Sequence, residues 1–356
     1  MALSRNCSSR RLPDRRGAQP VLSKADENAT LGSVPAAERY FSYAAYLRRR
    51  YGERVYRVAV DAGFSCPHRG PDRVSGGCTF CGESGSRAPY LSPADPAPGP
   101  PGSAAALASI REQVARGTMF LERRYGARSF ILYFQAFSGT FAPVSKLRVT
   151  YDAGLAAARF RGLVVSTRPD CVGVAQADLL ATYLGPEREV WVELGLQSAC
   201  DRTLRRIRRG HGVGAFVEAF GRLRDRGIRV APHLIFGLPG EGWEEIEATI
   251  EFVSGIRPDG VKIHNLHVPA GTALAEEARS GEVPVLSAER HVEYVIRALE
   301  RLPSSIVVLR LTCDTPHGRL ALPRRFQDKA GFHRQLRKQM VERDTWQGRQ
   351  CGEPRP

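Results

Sequence analysis

The sequence predicts an α/β fold, a partial (β/α)6 barrel with an N-terminal flexible arm and a C-terminal α/β extension, and three observations carry that prediction. Six short apolar runs, at 55-60, 130-135, 162-166, 189-194, 229-236 and 260-266, read as strands. Successive starts lie 75, 32, 27, 40 and 31 residues apart, and every gap but the first is the length of one βα unit. Helical patterns fill the intervals. Six parallel strands with outer helices make an open barrel smaller than the eight-fold form.

Taken in order, residues 1-38 mix Arg, Ser, Pro and Ala with little periodicity and are expected to form a flexible basic arm. Tyr40, Phe41, Tyr43, Ala44, Tyr46 and Leu47 suit a short amphipathic helix leading into the core. The first strand, Val55 to Val60, precedes the long gap, which holds a cysteine-bearing segment and a Pro/Gly-rich insert from Pro89 to Gly102. Helices are expected over Ala104 to Arg124, Pro143 to Phe160, Gln176 to Leu184, Arg202 to Arg209, Gly214 to Arg226 and Trp243 to Ile256. Beyond the sixth strand, Ser287 to Leu302 reads as a helix and Ile306 to Leu311 as a further strand-like run. The rhythm divides the chain into the arm, a core domain at 39-285 and a basic extension at 286-356.

The formal net charge is +15, and it is patterned. Residues 1-50, 201-230 and 319-356 each carry a net +6, so the remainder is slightly acidic. Nearly all of this charge is Arg, whose planar fork suits phosphate, and such clustering points to a polyanionic partner. Solvated faces are the plainer reading of the same charge. The eight cysteines do not form a disulfide framework. Cys7, Cys171, Cys200, Cys313 and Cys351 lack paired spacing in a chain too large to need stapling, which fits a reducing cytoplasm. No apolar run approaches the ~20 residues that span a bilayer, and Met1 to Arg16 lacks the apolar stretch of a secretory signal.

Chemistry concentrates at the carboxyl ends of the strands, where parallel βα folds gather their sites. Directly after the first strand come Cys66-Pro67-His68-Arg69 and then Gly76-Gly77-Cys78-Thr79-Phe80-Cys81, a C-x11-C-x2-C spacing. Three thiolates leave one position open, whereas structural zinc closes its sphere with four protein ligands. A four-iron cluster on three cysteines keeps one iron free for chemistry. Zinc completed by His68 or a remote cysteine is the structural alternative. Elsewhere Glu193 is a charge inside the apolar run Val190 to Leu194, so it must be paired or functional if it faces the barrel. Past the sixth strand, Lys262, His264 and His267 line the expected substrate side and serve either as proton-handling groups or as satisfied core residues.

These motifs resemble the radical S-adenosylmethionine (SAM) superfamily. The usual spacing there is C-x3-C-x2-C, and the long first gap is a departure shared with the Elongator-like branch. Asp61 to Phe64, Ser166 to Asp170, Glu193 to Ser198, Arg209 to His211 and Asp344 to Gly348 are similar to a bacterial subfamily of that branch without an acetyltransferase domain. The resemblance runs from about Tyr40 to Gly348. It implies a 4Fe-4S cluster ligated by Cys66, Cys78 and Cys81, with SAM bound at the free iron and cleaved to a 5'-deoxyadenosyl radical. An electron donor such as flavodoxin or ferredoxin is implied as well.

The same resemblance places Phe80 beside the adenine, and Ser166, Gln197 and Arg209 around the ribose and the methionine carboxylate. Where most members have a Gly-Gly-Glu-like turn, this chain has Gln135-Ala136, so Gln135 is expected to offer a backbone contact only. Glu193 is assigned to SAM or substrate, and His233 stands where several relatives carry an acid, before the Gly237-Leu238-Pro239-Gly240-Glu241 turn. The expected substrate is tRNA, at a wobble-region uridine. The alternatives are a radical SAM enzyme acting on a small metabolite or porphyrin, and a non-enzymatic RNA-binding protein with a structural metal. Arg319 to Arg325 and Arg334 to Lys338, with Trp346, read either as an RNA-binding tail or as a packed C-terminal helix.

Overall fold

The computed structural model describes residues 38–70, 75–82, 90–91, 95, 97–135, 137–313, 321–323, 326 and 328–355. The expected arm up to residue 37, residues 89, 92–94 and 96 of the insert, Ala136 and the arginines at 319, 324 and 325 lie outside the described residues.

The described residues form nine strands: β1 (Val55–Val60), β2 (Ser129–Phe134), β3 (Phe160–Thr167), β4 (Glu189–Gln197), β5 (Arg229–Phe236), β6 (Gly260–Asn265), β7 (Val268–Pro269), β8 (Val307–Arg310) and β9 (Ala321–Leu322). The helices are α1 (Tyr43–Tyr51), α2 (Ala104–Tyr125), α3 (Val144–Ala156), α4 (Val174–Ala181), α5 (Asp201–Arg206), α6 (Val213–Arg224), α7 (Trp243–Ile256), α8 (Ala273–Ser280), α9 (Ala288–Arg301) and α10 (Lys329–Glu342). Seven strands pair in parallel in the order β1-β2-β3-β4-β5-β6-β8, a half-barrel with its helices outside. The six expected strands are all present, and the strand-like run after α9 joins the same sheet by pairing with β6. β7 and β9 form a separate antiparallel pair.

Both faces of this sheet are covered, which is why β2 and β4 are buried along their whole length and are mostly apolar. Outward-facing side chains such as Leu132, Leu163, Val192 and Val230 form the main core beneath the helices. Inward-facing Ile131, Val164, Trp191 and Ala231 form a second core against Tyr43 and Leu47, so α1 plugs the amino-terminal end of the barrel. Ser42 starts that helix by accepting from the Ala45 amide. Ser103, Thr272, Ser287 and Asp328 begin α2, α8, α9 and α10 in the same way, each satisfying an amide that the first turn leaves without a partner.

Neither outer edge of the half-barrel is bare. The Tyr90 hydroxyl lies 2.6 Å from both the amide and the carbonyl of Ala59 on β1. The Gln113 amide does the same for Asp61, accepting from its N–H and donating to its carbonyl at 2.8 Å each. At the other edge, the Val308 amide donates to the Phe41 carbonyl at 2.8 Å.

Candidate active site

The cysteine segment leaves β1 at its carboxyl end and folds back on itself. Gly77 donates to the His68 carbonyl, Gly70 to Ser75, and Arg69 bridges Gly76 in antiparallel fashion. This pairing brings the chain before residue 71 and after residue 74 back together, so Cys66 and Cys78 both lie near Cys81 despite the eleven residues between them. Gly76 makes the return possible at φ 75°, where a Cβ would sit 2.6 Å from the His68 carbonyl oxygen. Cys81 then closes a turn onto the Cys78 carbonyl. The Thr79 amide donates to Ile207 after α5, and the Leu274 amide of α8 donates to Thr79. Phe80 packs into the apolar cluster of Leu204, Ile207, Ile235 and Leu266 at this end of the barrel.

The electrostatics are positive around the thiols. Burial pushes the Cys81 thiol up, opposed by the Arg69 guanidinium, while Cys78 and Cys66 are close enough to add to the rise. Arg69 also donates to the carbonyls of Cys81 and Gly82. Arg168 and Arg209 both point an N–H at the Cys78 sulfur, at 3.8 and 3.6 Å. Among the described residues, no three Cys, His, Asp or Glu side chains converge closely enough to chelate a single ion. A tetrahedral zinc needs ligands about 2.0–2.3 Å from one point, whereas a cluster spreads its thiolates over separate irons.

The other strand ends converge here. The Ser138 amide after β2 donates to Ser65, and the Gly139 amide to the Ser166 carbonyl of β3. Gln135 sits half-buried at the end of β2, its amide 3.4 Å from the Val60 carbonyl. Arg209 donates to the Gly195 carbonyl at 2.8 Å. Gln197 lies at a bulge of β4 with φ 73°, a left-handed conformation uncommon outside glycine. Its Oε1, Arg209 Nε and Thr79 Oγ1 are buried without a hydrogen-bond partner among the described residues. Polar atoms left so at a strand-end cleft are the groups a polar cofactor would engage. The three thiols, their arginines and these orphaned donors and acceptors fit an anionic cluster with SAM beside it.

One layer deeper, Glu193 is fully buried and fully engaged. Arg57 of β1 reaches one oxygen at 2.6 Å, while Lys262 of β6 and Tyr133 of β2 reach the other at 2.7 and 2.6 Å. Burial alone would raise the carboxyl, but Lys262 and Arg57 hold it far below the usual carboxylate range. Burial pulls Lys262 down to about 8 against the pull of Glu193. His233 faces the same interior, its ring 4.4 Å from that of His264, and its Nε2 is buried without a partner among the described residues. Burial drives both imidazoles well below their ordinary value. Arg310 approaches His264 Nε2 at 3.3 Å, and a guanidinium only donates, so that nitrogen accepts.

Sequence reasoning singled out Ser166, Gln197 and Arg209, but not Arg69 or Arg168 for the site. The signal for Arg168 was available in Ser166-Thr167-Arg168-Pro169-Asp170: a charged residue immediately past an apolar strand. A surface cavity of about 360 Å3 opens at the opposite, amino-terminal ends of β4 and β5. Its Arg50 and Arg229 are already engaged by Glu189 and Asp259, so it is not the candidate site.

The comparisons with known proteins agree with this architecture. Residues 66–253 match the radical SAM superfamily and residues 258–342 the radical SAM C-terminal domain. The chain is 37% identical over 277 residues to protein YhcC of Escherichia coli, covering 78% of this chain and 84% of that one. It is 37% identical over 159 residues to Elongator complex protein 3 of Mus musculus, covering 44% of this chain and 28% of the relative. The Elp3 structure from the archaeon Methanocaldococcus infernus superposes with a TM-score of 0.57 at 22% identity, over 68% of this chain and 60% of that one. The fold, the strand-end site and these similarities together identify the chain as an enzyme of the radical SAM superfamily, a family that works with a 4Fe-4S cluster and SAM.

Proposed function

We propose that this enzyme uses its cluster, held by Cys66, Cys78 and Cys81, to modify tRNA, at a uridine in or near the anticodon. The observation that carries the reading is the convergence of three thiols, three arginines and several orphaned polar atoms at one end of the barrel. When bound, the reduced cluster and SAM supply a 5'-deoxyadenosyl radical; the chain's own residues bind, orient and exclude water.

Ser166, Gln197 and Arg209 would hold the ribose and the methionine carboxylate of SAM, since guanidinium, amide and hydroxyl groups suit a carboxylate and a diol. Phe80 would contact the adenine, and the Gln135 backbone would receive the amino group. With both oxygens taken, Glu193 serves by fixing Lys262 and Tyr133 beneath the substrate, and His233 faces the same space. A small acidic electron carrier of the flavodoxin or ferredoxin class supplies the electron. No helix among the described residues is long and apolar enough to cross a membrane. A reducing cytoplasm would protect the cluster.

Two facts support RNA as the substrate. Similarity to Elongator complex protein 3 covers 44% of the chain. Arg205 and Arg208 are exposed and close in sequence to the buried Arg209, whose guanidinium reaches the Cys78 sulfur. The C-terminal arginines are less direct support. Phe332, Leu336 and Met340 pack α10 into the main core, and the Trp346 indole is tied to the Glu353 carbonyl at 3.0 Å, which leaves Arg334, Arg337 and Lys338 exposed on a docked helix.

Two experiments test the reading. Anaerobically reconstituted, dithionite-reduced protein should release 5'-deoxyadenosine from SAM even without substrate; none from a fully loaded cluster would refute the enzyme assignment. A deletion strain should lack one modified tRNA nucleoside by mass spectrometry, and an unchanged nucleoside profile would refute tRNA as substrate.

A further inference from the structure

We propose that Arg168 is a positioning residue that sets the reduction potential of the cluster through the Cys78 sulfur. The proposal rests on the reading that Cys66, Cys78 and Cys81 hold that cluster.

Arg168 lies in the turn after β3 and is only 3% exposed. Every branch of its guanidinium is committed. Nε and Nη2 grip the two oxygens of Asp170 at 2.8 and 2.9 Å, and Nη2 also donates to the Arg209 carbonyl at 2.6 Å. That leaves Nη1, which points at the Cys78 sulfur at 3.8 Å. His68 Nε2 meets Asp170 Oδ2, the oxygen that Arg168 Nη2 also holds, at 3.1 Å, so the carboxylate that anchors Arg168 is itself tied to the cysteine hairpin. A guanidinium held this way cannot turn away from the sulfur. It is a fixed, permanently charged donor.

Reduction brings one electron from the external carrier onto the cluster, and the added charge spreads over its sulfurs. Hydrogen bonds and positive charge at a ligand sulfur stabilise the more negative, reduced state and raise the potential. Arg209 adds a second N–H at 3.6 Å, but that residue is assigned to SAM. Arg168 carries no such second assignment, since its guanidinium is spent on Asp170, the Arg209 carbonyl and Cys78. Its role is therefore to make the cluster reducible, and by holding the Arg209 carbonyl it also joins the SAM-side turn to the Cys78 ligand.

The test is a redox titration, monitored by electron paramagnetic resonance, of reconstituted wild type, Arg168→Gln and Arg168→Lys without SAM, with iron and sulfide assayed on each sample. Fully loaded Arg168→Gln should have a more negative midpoint, by at least a tenfold change in the reduction equilibrium, about 59 mV for one electron. Arg168→Lys keeps the charge but, held at Asp170, loses the N–H to sulfur, and should fall between. If Arg168→Gln does not load, Arg168→Lys decides. A wild-type midpoint in a loaded variant overturns the proposal. Wild-type protein that takes up no iron would instead sink the underlying ligand assignment, with no cluster signal in any sample.

Discussion

Gly195 and Arg209 meet at close range: the Arg209 guanidinium donates to the Gly195 carbonyl, and a Cβ on Gly195 would lie 2.4 Å from that guanidinium and 2.9 Å from the Gln197 amide nitrogen, so both side chains would have to move. Gly195→Ala should therefore displace two of the groups assigned to SAM while leaving the sheet intact. SAM affinity should fall at least tenfold, about 1.4 kcal/mol, by equilibrium dialysis on the reconstituted protein. Unchanged affinity would show that neither group binds SAM.

Replacing Cys66, Cys78 or Cys81 with Ala should each abolish cluster incorporation, because a cluster with an open iron has no spare thiolate. Cys7→Ala and Cys351→Ala should load normally. Iron and sulfide analysis separates the two groups, and full loading in any of the first three contradicts the ligand assignment.

Glu193→Ala would leave Arg57 and Lys262 as buried charges with no counter-ion. Removing one partner of such a group costs about 3–5 kcal/mol, so thermal or denaturant unfolding should reveal a marked loss. A variant as stable as wild type would mean that the interior admits water freely.

His291 gives a pH dependence with a definite sign. It is fully buried, donates Nε2–H to the Leu311 carbonyl at 2.8 Å, and burial holds its imidazole down at about 4. Below its ordinary value of 6.5 the unfolded chain takes up a proton that the native imidazole refuses. Stability is therefore present above that pH and lost as pH falls from 6.5 toward 4, by on the order of 2 kcal/mol at pH 5. His291→Gln should flatten the difference between melting curves at about pH 7.5 and pH 5, and an equal difference in both proteins would refute it.

Exposed Arg205 and Arg208 should matter for RNA binding in a salt-dependent way. Each phosphate contact lowers log affinity with log salt by about 0.7 to 0.9. Changing both to Ala should flatten that slope in gel-shift titrations and leave uncoupled SAM cleavage intact. An unchanged slope would reduce this pair to a solvated surface.

Much of the fold is legible in the sequence because its signals are local. β1 and α7 fall on the expected residues, where an apolar run or helical period has clear ends. α8 is missed because its eight residues bury only Leu274 and Ala275, too short a stripe to show a period. The pairing of β8 with β6 is a contact between distant segments, and spacing alone does not encode it. The site divides similarly. The cysteines announce themselves by residue type, whereas Arg168 and Arg69 acquire their roles only when loops meet. The Glu193 cluster was partly readable, since Arg57, Tyr133 and Lys262 each place a polar group in an apolar strand, but their common meeting point depends on how far the sheet curls.

The side chains at the sheet margins have a consequence for the molecule in a crowded solution. A half-barrel that does not close on itself exposes two strand borders, and a bare border recruits foreign strands into aggregates. Here the Tyr90 hydroxyl and the Gln113 amide occupy the hydrogen-bonding positions that an added strand would need at one margin, and Phe41 occupies the other. The sheet thereby stays open without offering its own backbone as a template for polymerisation.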